Sequence, residues 1–189
     1  MTLEQDIKRA VAALKRGGVI LYPTDTVWGI GCDATNPEAV RRVFEIKRRA
    51  DSKAMITLVA DVADIERFTS VPSHLAADMI AQSDRPLTVV YPGGRNLAPE
   101  LLGGDGTVGM RVTTEKVSAA LCRAFGRPIV STSANISGNP AAALFSEIEM
   151  DIIERMDYVM ESRRGDLSRS LPSRIVKINS DGTVTVLRP

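Results

Sequence analysis

VILYPTDTVWGIGCDATNPEAVRRVF, residues 19–44, passes from an apolar run through a polar turn into a helix signal. Val19 to Tyr22 have the β-branched and aromatic content of a short buried strand. Asn36 and Pro37 start a helix: the asparagine caps free amides, and a proline at the first helical position lacks an amide that would go unpaired anyway. Between strand and helix lie Thr24, Asp25, Thr26, the only tryptophan and two glycines. A strand, a polar connection and a helix in that order make an α/β unit.

The connection contains a decoy. Gly29, Gly31 and Ala34 satisfy the dinucleotide pattern G-x-G-x-x-A, and Asp51 lies about where its ribose acid should. That pattern places its glycines at the strand–helix turn, with the third small residue inside the helix. Here six residues follow Tyr22 before Gly29, and the helix cap comes later, at Asn36. Asp51 also precedes the next strand instead of ending it. The Walker A pattern G-x-x-x-x-G-K-[ST] is absent, so any ATP site must use another geometry.

Outward from this stretch the alternation continues. Thr2 and Gln5 form a capping-box pattern before Leu3, Ile7, Val11 and Leu14, a first helix stopped by Gly17-Gly18. AMITLVA, LTVVY, TVGMRV and PIVSTSAN read as strands, and EKVSAALCRAFG and SEIEMDIIERM as helices. Asp61 caps a short helix through Phe68, and Ser73 another through Ala81. SRIVKI and TVTVL flank Asn179-Ser180-Asp181-Gly182, a hairpin signal. The expectation is one α/β domain over residues 1–189, a twisted mixed sheet with flanking helices and no extra C-terminal domain. Ligands of such sheets sit at strand ends, which directs attention to the turns after VILY and PIVS.

The 189 residues are 44% apolar and 25% charged with a formal net charge of +1, which excludes disorder and a strongly basic nucleic-acid coat. No apolar run reaches membrane-spanning length, and the N-terminus lacks the apolar centre of a secretory signal. Cys32 and Cys122 have no paired spacing, against a disulfide framework or zinc site. A cytoplasmic protein without a membrane partner is expected, and no metal site is read from the residues.

Pro23-Thr24-Asp25-Thr26 is either a turn that satisfies its own backbone or the wall of a pocket. Lys47, Arg48, Arg49 and Lys53 are either a solvated helix end favoured by the dipole or an anion trap. In TVGMRV a period of two puts Thr107, Gly109 and Arg111 on one face and Val108, Met110 and Val112 on the other. If both faces are covered, Arg111 needs an anion, from a structural carboxylate or a ligand. Ser131, Thr132, Ser133, Asn135 and Ser137 crowd one donor-rich turn. Covalent catalysis by a serine is unsupported, since there is no G-x-S-x-G elbow and the single histidine, His74, reads as packing or surface.

GGVILYPTDTVWGIGCDA, IKRRADSKAMITLV, TVGMRV and PIVSTSANISG together resemble the YrdC family, in the family's order and over nearly the whole chain. Its hallmark pairs Lys-x-Arg with Ser-x-Asn, here Lys47-Arg48-Arg49 and Ser133-Ala134-Asn135. The resemblance implies a YrdC-like fold with a large concave cavity. It also implies the activity of the family's TsaC-type members, threonylcarbamoyl-AMP synthases: L-threonine, bicarbonate and ATP, with Mg2+ on the phosphates, give threonylcarbamoyl-AMP and pyrophosphate. The product would pass to downstream tRNA threonylcarbamoyl-transfer proteins for modification of an adenosine beside the anticodon.

By the same resemblance Lys47, Arg49 and Lys53 form the catalytic basic wall, with Arg49 and Lys53 on the triphosphate. Thr26, Arg111, Ser131 and Ser173 would take threonine, with Arg111 on its carboxylate. Thr107, Ser133, Asn135 and Arg188 would contact the nucleotide. Arg174 stands where many members have threonine, and Leu58 where archaeal members have a histidine. The alternative is an RNA-binding module without adenylating activity; the YciO-like branch tends to lack the two hallmark pairs present here. Weak tRNA binding is compatible with either, though the small net charge and 4% aromatic content disfavour RNA as the main ligand.

Overall fold

Thr2 and Gln5 close the expected capping box at the start of α1 (Leu3–Lys15), and the chain then enters β1 (Ile20–Tyr22). These elements belong to a computed structural model that describes residues 1–48 and 55–189. β2 (Gly29–Gly31) follows the Thr-Asp-Thr turn and pairs back antiparallel to β1. Asn36 accepts from the amides of Glu38 and Ala39 to cap α2 (Pro37–Lys47). Next come β3 (Ile56–Val59), a 3-10 turn capped by Asp61, α3 (Ile65–Phe68), α4 (His74–Ala81), β4 (Leu87–Tyr91) and β5 (Val108–Val112). Glu115 caps α5 (Lys116–Phe125), and Gly126, at φ 72°, ends it in the left-handed region that favours glycine. The remainder is β6 (Ile129–Ser133), α6 (Met150–Glu154), β7 (Tyr158–Val159) and the hairpin β8 (Arg174–Ile178) and β9 (Val184–Arg188).

Among the described residues nine strands form one mixed sheet in the order β7-β1-β2-β6-β3-β5-β4-β8-β9. The α/β class is as read, a single domain with helices on both faces. α1 and α5 bury Ala10, Leu14, Val117 and Leu121 against Ile20, Tyr22, Leu58 and Ile129. On the other face α2 packs Val40, Val43 and Phe44 against Trp28, Ile30 and Val130. α3 and α4 cover the apolar face of β4, β5 and β8 with Ile65, Phe68 and Ala76 on Val89, Met110 and Val176. Each fully buried valine, leucine or isoleucine among them contributes about 1.5–3 kcal/mol. The reverse face of β5 carries Gly109 and Arg111, as the period of two predicts.

The structure corrects three readings of local structure and adds one strand. GIG, placed in the connection between strand and helix, is itself a strand, because two bare Cα positions let β2 lie against Tyr22 and β6: a Cβ on Gly31 would sit 2.7 Å from the Val130 carbonyl oxygen. The helix read over SEIEMDIIERM is only Met150–Glu154, after a 3-10 turn at Phe145–Glu147. β7, two residues long, gave too short a signal. Ser73 makes no capping bond and instead gives both its amide and hydroxyl to Glu66. His74 is exposed at the start of α4.

Candidate active site

The turn after β1 is internally satisfied and also lines a cavity. Thr24 Oγ1 donates to the Val27 carbonyl at 2.7 Å and accepts from the Thr26 amide at 3.1 Å. Both threonines then face a cavity of about 340 Å³. Its other walls are Gly29 from β2, Ile56 from β3, Arg111 from β5, Ser131 to Ser133 from β6, and Ser173, Ile175 and Arg188 from the terminal hairpin. Thus six strands and the turn after β1 converge on one hollow. Among the described lining residues there is no Asp, Glu, His or Cys, but there are two arginines and several hydroxyls.

Arg111 is almost fully buried, at 3% side-chain exposure. Its Nη2 lies 2.9 Å from Asp25 Oδ1. The approach is not an aligned hydrogen bond, since Asp25 Oδ1 and Arg111 Nε are both buried without a hydrogen-bond partner. Nη2 also reaches Thr26 Oγ1, at a long 3.5 Å. A buried orphan donor costs about 1–3 kcal/mol, so this guanidinium retains unsatisfied capacity for an anion. Burial raises the Asp25 carboxyl above its ordinary range, and Arg111 only partly offsets that. A structural carboxylate therefore sits beside Arg111, and a ligand oxygen still has a place there.

Arg188 is held by Ser173, whose carbonyl accepts from Nε at 2.8 Å and whose hydroxyl accepts from Nη2 at 3.0 Å. The Ser173 hydroxyl is itself linked to Thr88 at 3.0 Å, so it fixes Arg188 while lining the cavity. Burial, and then the nearby charges of Arg111 and Arg85, lower the proton affinity of Arg188. Cations in a lining without a carboxylate suit a polyanion.

Of the residues expected in the site, Thr26, Arg111, Ser131, Ser133, Ser173 and Arg188 line this one cavity. Lys47 does not. It is 1% exposed at the end of α2, and its ammonium donates to the carbonyls of Ser133 and Asn135, the latter at 2.7 Å. Lys47 thus shapes the Ser-x-Asn turn instead of facing the hollow. Asn135 is buried beside it; Nδ2 donates to the Ile136 and Asn139 carbonyls, and Oδ1 is left without a partner. Thr107 precedes β5 and gives its hydroxyl to Asp105 at 2.6 Å, outside the lining. Arg49 and Lys53, with Asp51, lie outside the described residues.

Reading residues alone missed Met55, Ile56, Ala141, Pro172 and Ile175 as lining. It also missed the burial of Lys47. That had a signal: Val40, Val43, Phe44 and Lys47 follow the i, i+3, i+4, i+7 stripe, so the lysine falls on the core face.

Comparison with known proteins identifies the family and the fold. The profile of the family Sua5_yciO_yrdC, described as telomere recombination, matches residues 12–189. A protein of Stenotrophomonas maltophilia named threonylcarbamoyl-AMP synthase is 35% identical over 174 residues, covering 90% of this chain and 94% of that relative. The structure of P. abyssi Sua5 complexed with L-threonine superposes with a TM-score of 0.86 at 27% identity, over 98% of this chain. This chain spans only 54% of that Sua5 chain. E. coli YciO superposes with a TM-score of 0.83 at 25% identity, covering 99% of this chain and 89% of its own.

Proposed function

The chain belongs to the Sua5, YciO and YrdC family, and from that membership we propose that it is a threonylcarbamoyl-AMP synthase, a nucleotidyltransferase joining L-threonine, bicarbonate and ATP. The observation that carries this reading is the pairing of two arginines with hydroxyls in one cavity without an acidic lining residue among those described. Such a hollow suits two anionic substrates side by side. The relatives named for the reaction support it, as does the Sua5 that holds L-threonine.

In this reading Arg111 takes the threonine carboxylate with its unpartnered Nε edge, and Thr26 and Ser131 offer hydroxyls to the amino-acid body. Arg188 and Ser133 face the nucleotide, and Arg49 and Lys53 are assigned to the triphosphate by resemblance. Lys47 keeps the Ser133–Asn135 turn in place. The amine attacks the carbon of bicarbonate or carbon dioxide to form a carbamate; water leaves from bicarbonate, or the amine gives up a proton when carbon dioxide reacts. The carbamate oxygen then attacks the α-phosphorus and pyrophosphate departs. No protein nucleophile is needed; the side chains orient two anions and neutralise developing charge. The described residues include no group of three acidic, histidine or cysteine side chains able to hold a metal ion. Mg2+, which the family resemblance implies, would be brought by the phosphates of ATP and would neutralise their charge.

No described helix is long and apolar enough to cross a membrane, which fits work in the cytoplasm on a product passed to tRNA-modifying proteins. The test is pyrophosphate release from Mg2+–ATP by the purified chain. Release that requires both L-threonine and bicarbonate supports the synthase. Release indifferent to threonine, or RNA retention without turnover, rejects it.

A further inference from the structure

Beside the proposed amino-acid subsite, behind its lining, lies an acid that the reaction does not account for. Asp25 shares the burial of Arg111, with 12% side-chain exposure, and its Oδ1 lies 2.9 Å from the guanidinium. No hydrogen bond reaches that oxygen, so charge attraction is the main influence keeping it ionised. The charged or titratable groups around Asp25 come from four other places in the fold. They are Arg111 of β5, Glu115 and Cys122 of the α5 region, Arg163 of the segment after β7, and Tyr22 of β1. Of these groups only the two arginines favour the carboxylate, which the Asp25 amide also favours. Arg163 is already divided among the Thr24 carbonyl at 2.9 Å, Asp166 at 2.8 Å and Glu115 at 3.4 Å. Among the described residues Arg111 is therefore the one strong counterion of Asp25, and burial already holds the Asp25 carboxyl above its usual range.

We propose that an incoming amino-acid carboxylate takes over Arg111 and that Asp25 takes up a proton as it binds. The inference rests on the assignment of Arg111 to that carboxylate. Two carboxylates on one buried guanidinium cannot both remain ionised cheaply, and the proton goes to the one whose environment already favours the neutral form. The balance is simple: one ligand carboxylate enters, one proton from solvent joins an Asp25 oxygen, and Arg111 stays charged between them. Since protons are taken up, binding tightens as pH falls towards 6. Asp25 is then a positioning residue that keeps Arg111 buried in the free protein and yields it to substrate.

The test is calorimetric titration of L-threonine into the full chain in two buffers of different ionisation enthalpy, from pH 8 to 6. It is paired with carboxyl-carbon NMR of aspartate-labelled protein. The expected results are uptake of up to one proton per threonine and affinity roughly threefold or more higher at pH 6 than at pH 8. The Asp25 carboxyl midpoint should move upward when threonine is added. Asp25→Asn assigns that resonance and should bind without uptake; should it fail to fold, the wild-type midpoint alone decides. Threonine binding with no proton uptake and an unmoved midpoint overturns this inference and leaves the reading of the site intact. Absence of threonine binding overturns both.

Discussion

Two alanine substitutions two residues apart on β2 should separate the fold from the site. A Cβ on Gly31 would lie 2.6 Å from Tyr22 Cε1 and 2.7 Å from the Val130 carbonyl oxygen. Neither neighbour can move alone. Tyr22 is fully buried and its hydroxyl donates to that same carbonyl at 3.1 Å, while Val130 belongs to β6. Reaching ordinary contact requires the strands to open by roughly 0.7 Å. Overpacking of this kind costs about 3 kcal/mol, which for a chain of this size lowers Tm by about 6–12 °C. On Gly29 the nearest atoms would be Thr24 Cγ2 at 3.2 Å, Tyr22 Cε1 at 3.4 Å and Ser131 Oγ at 3.6 Å. That methyl needs only a few tenths of an ångström, and alanine recovers about 0.5–1 kcal/mol of backbone entropy. Gly29→Ala should melt within about 3 °C of wild type. Its methyl nevertheless enters the cavity beside Ser131 and should raise the KM for threonine. Calorimetric melting and threonine titration read both effects. A Gly31→Ala protein as stable as wild type, or a Gly29→Ala protein that loses as much Tm as Gly31→Ala, refutes the packing argument.

Other expected outcomes follow from single contacts. Arg111→Lys keeps the charge but loses the planar fork, so the KM for threonine should rise about 10–100-fold with little change in that for ATP. Lys47→Met removes a buried ammonium from the Ser133 and Asn135 carbonyls, and should cost about 2–4 kcal/mol in denaturant unfolding and depress turnover. Asp6 is buried, which by itself would raise its proton affinity, but bonds from Ser162, Tyr158 and the Glu161 amide bring the net shift below the ordinary value. Its folded form is thus favoured while ionised. The stabilisation is present above about pH 4 and is lost as pH falls through the lowered folded pKa. Asp6→Asn should destabilise by about 2–4 kcal/mol at neutral pH, and the gap to wild type should shrink in acid.

How much was legible depended on whether the cause was local. The Thr2–Gln5 box, the Asn36-Pro37 start, the Gly126 stop and the turn at Asn179–Gly182 all act within a few residues, and each stands where it was read. The two-residue period of TVGMRV correctly placed Val108 and Met110 in the core and Arg111 opposite. β2 could not be read locally, because its glycines are chosen by the approach of Tyr22 and Val130 from distant strands. Arg111 was legible as a residue needing an anion, but not its resident partner. That partner, Asp25, is 86 positions away and meets it only through the sheet. Ser173 was read as a threonine contact; its hold on Arg188 depends on the terminal hairpin closing over the site.

The most direct measurement is a structure of the chain with L-threonine and a non-hydrolysable ATP analogue bound together. The threonine carboxylate should rest on Arg111, with the phosphates of the same complex towards Arg188 and Ser133 in the one hollow. Either ligand found on another face of the protein, or a threonine turned away from Arg111, contradicts the account.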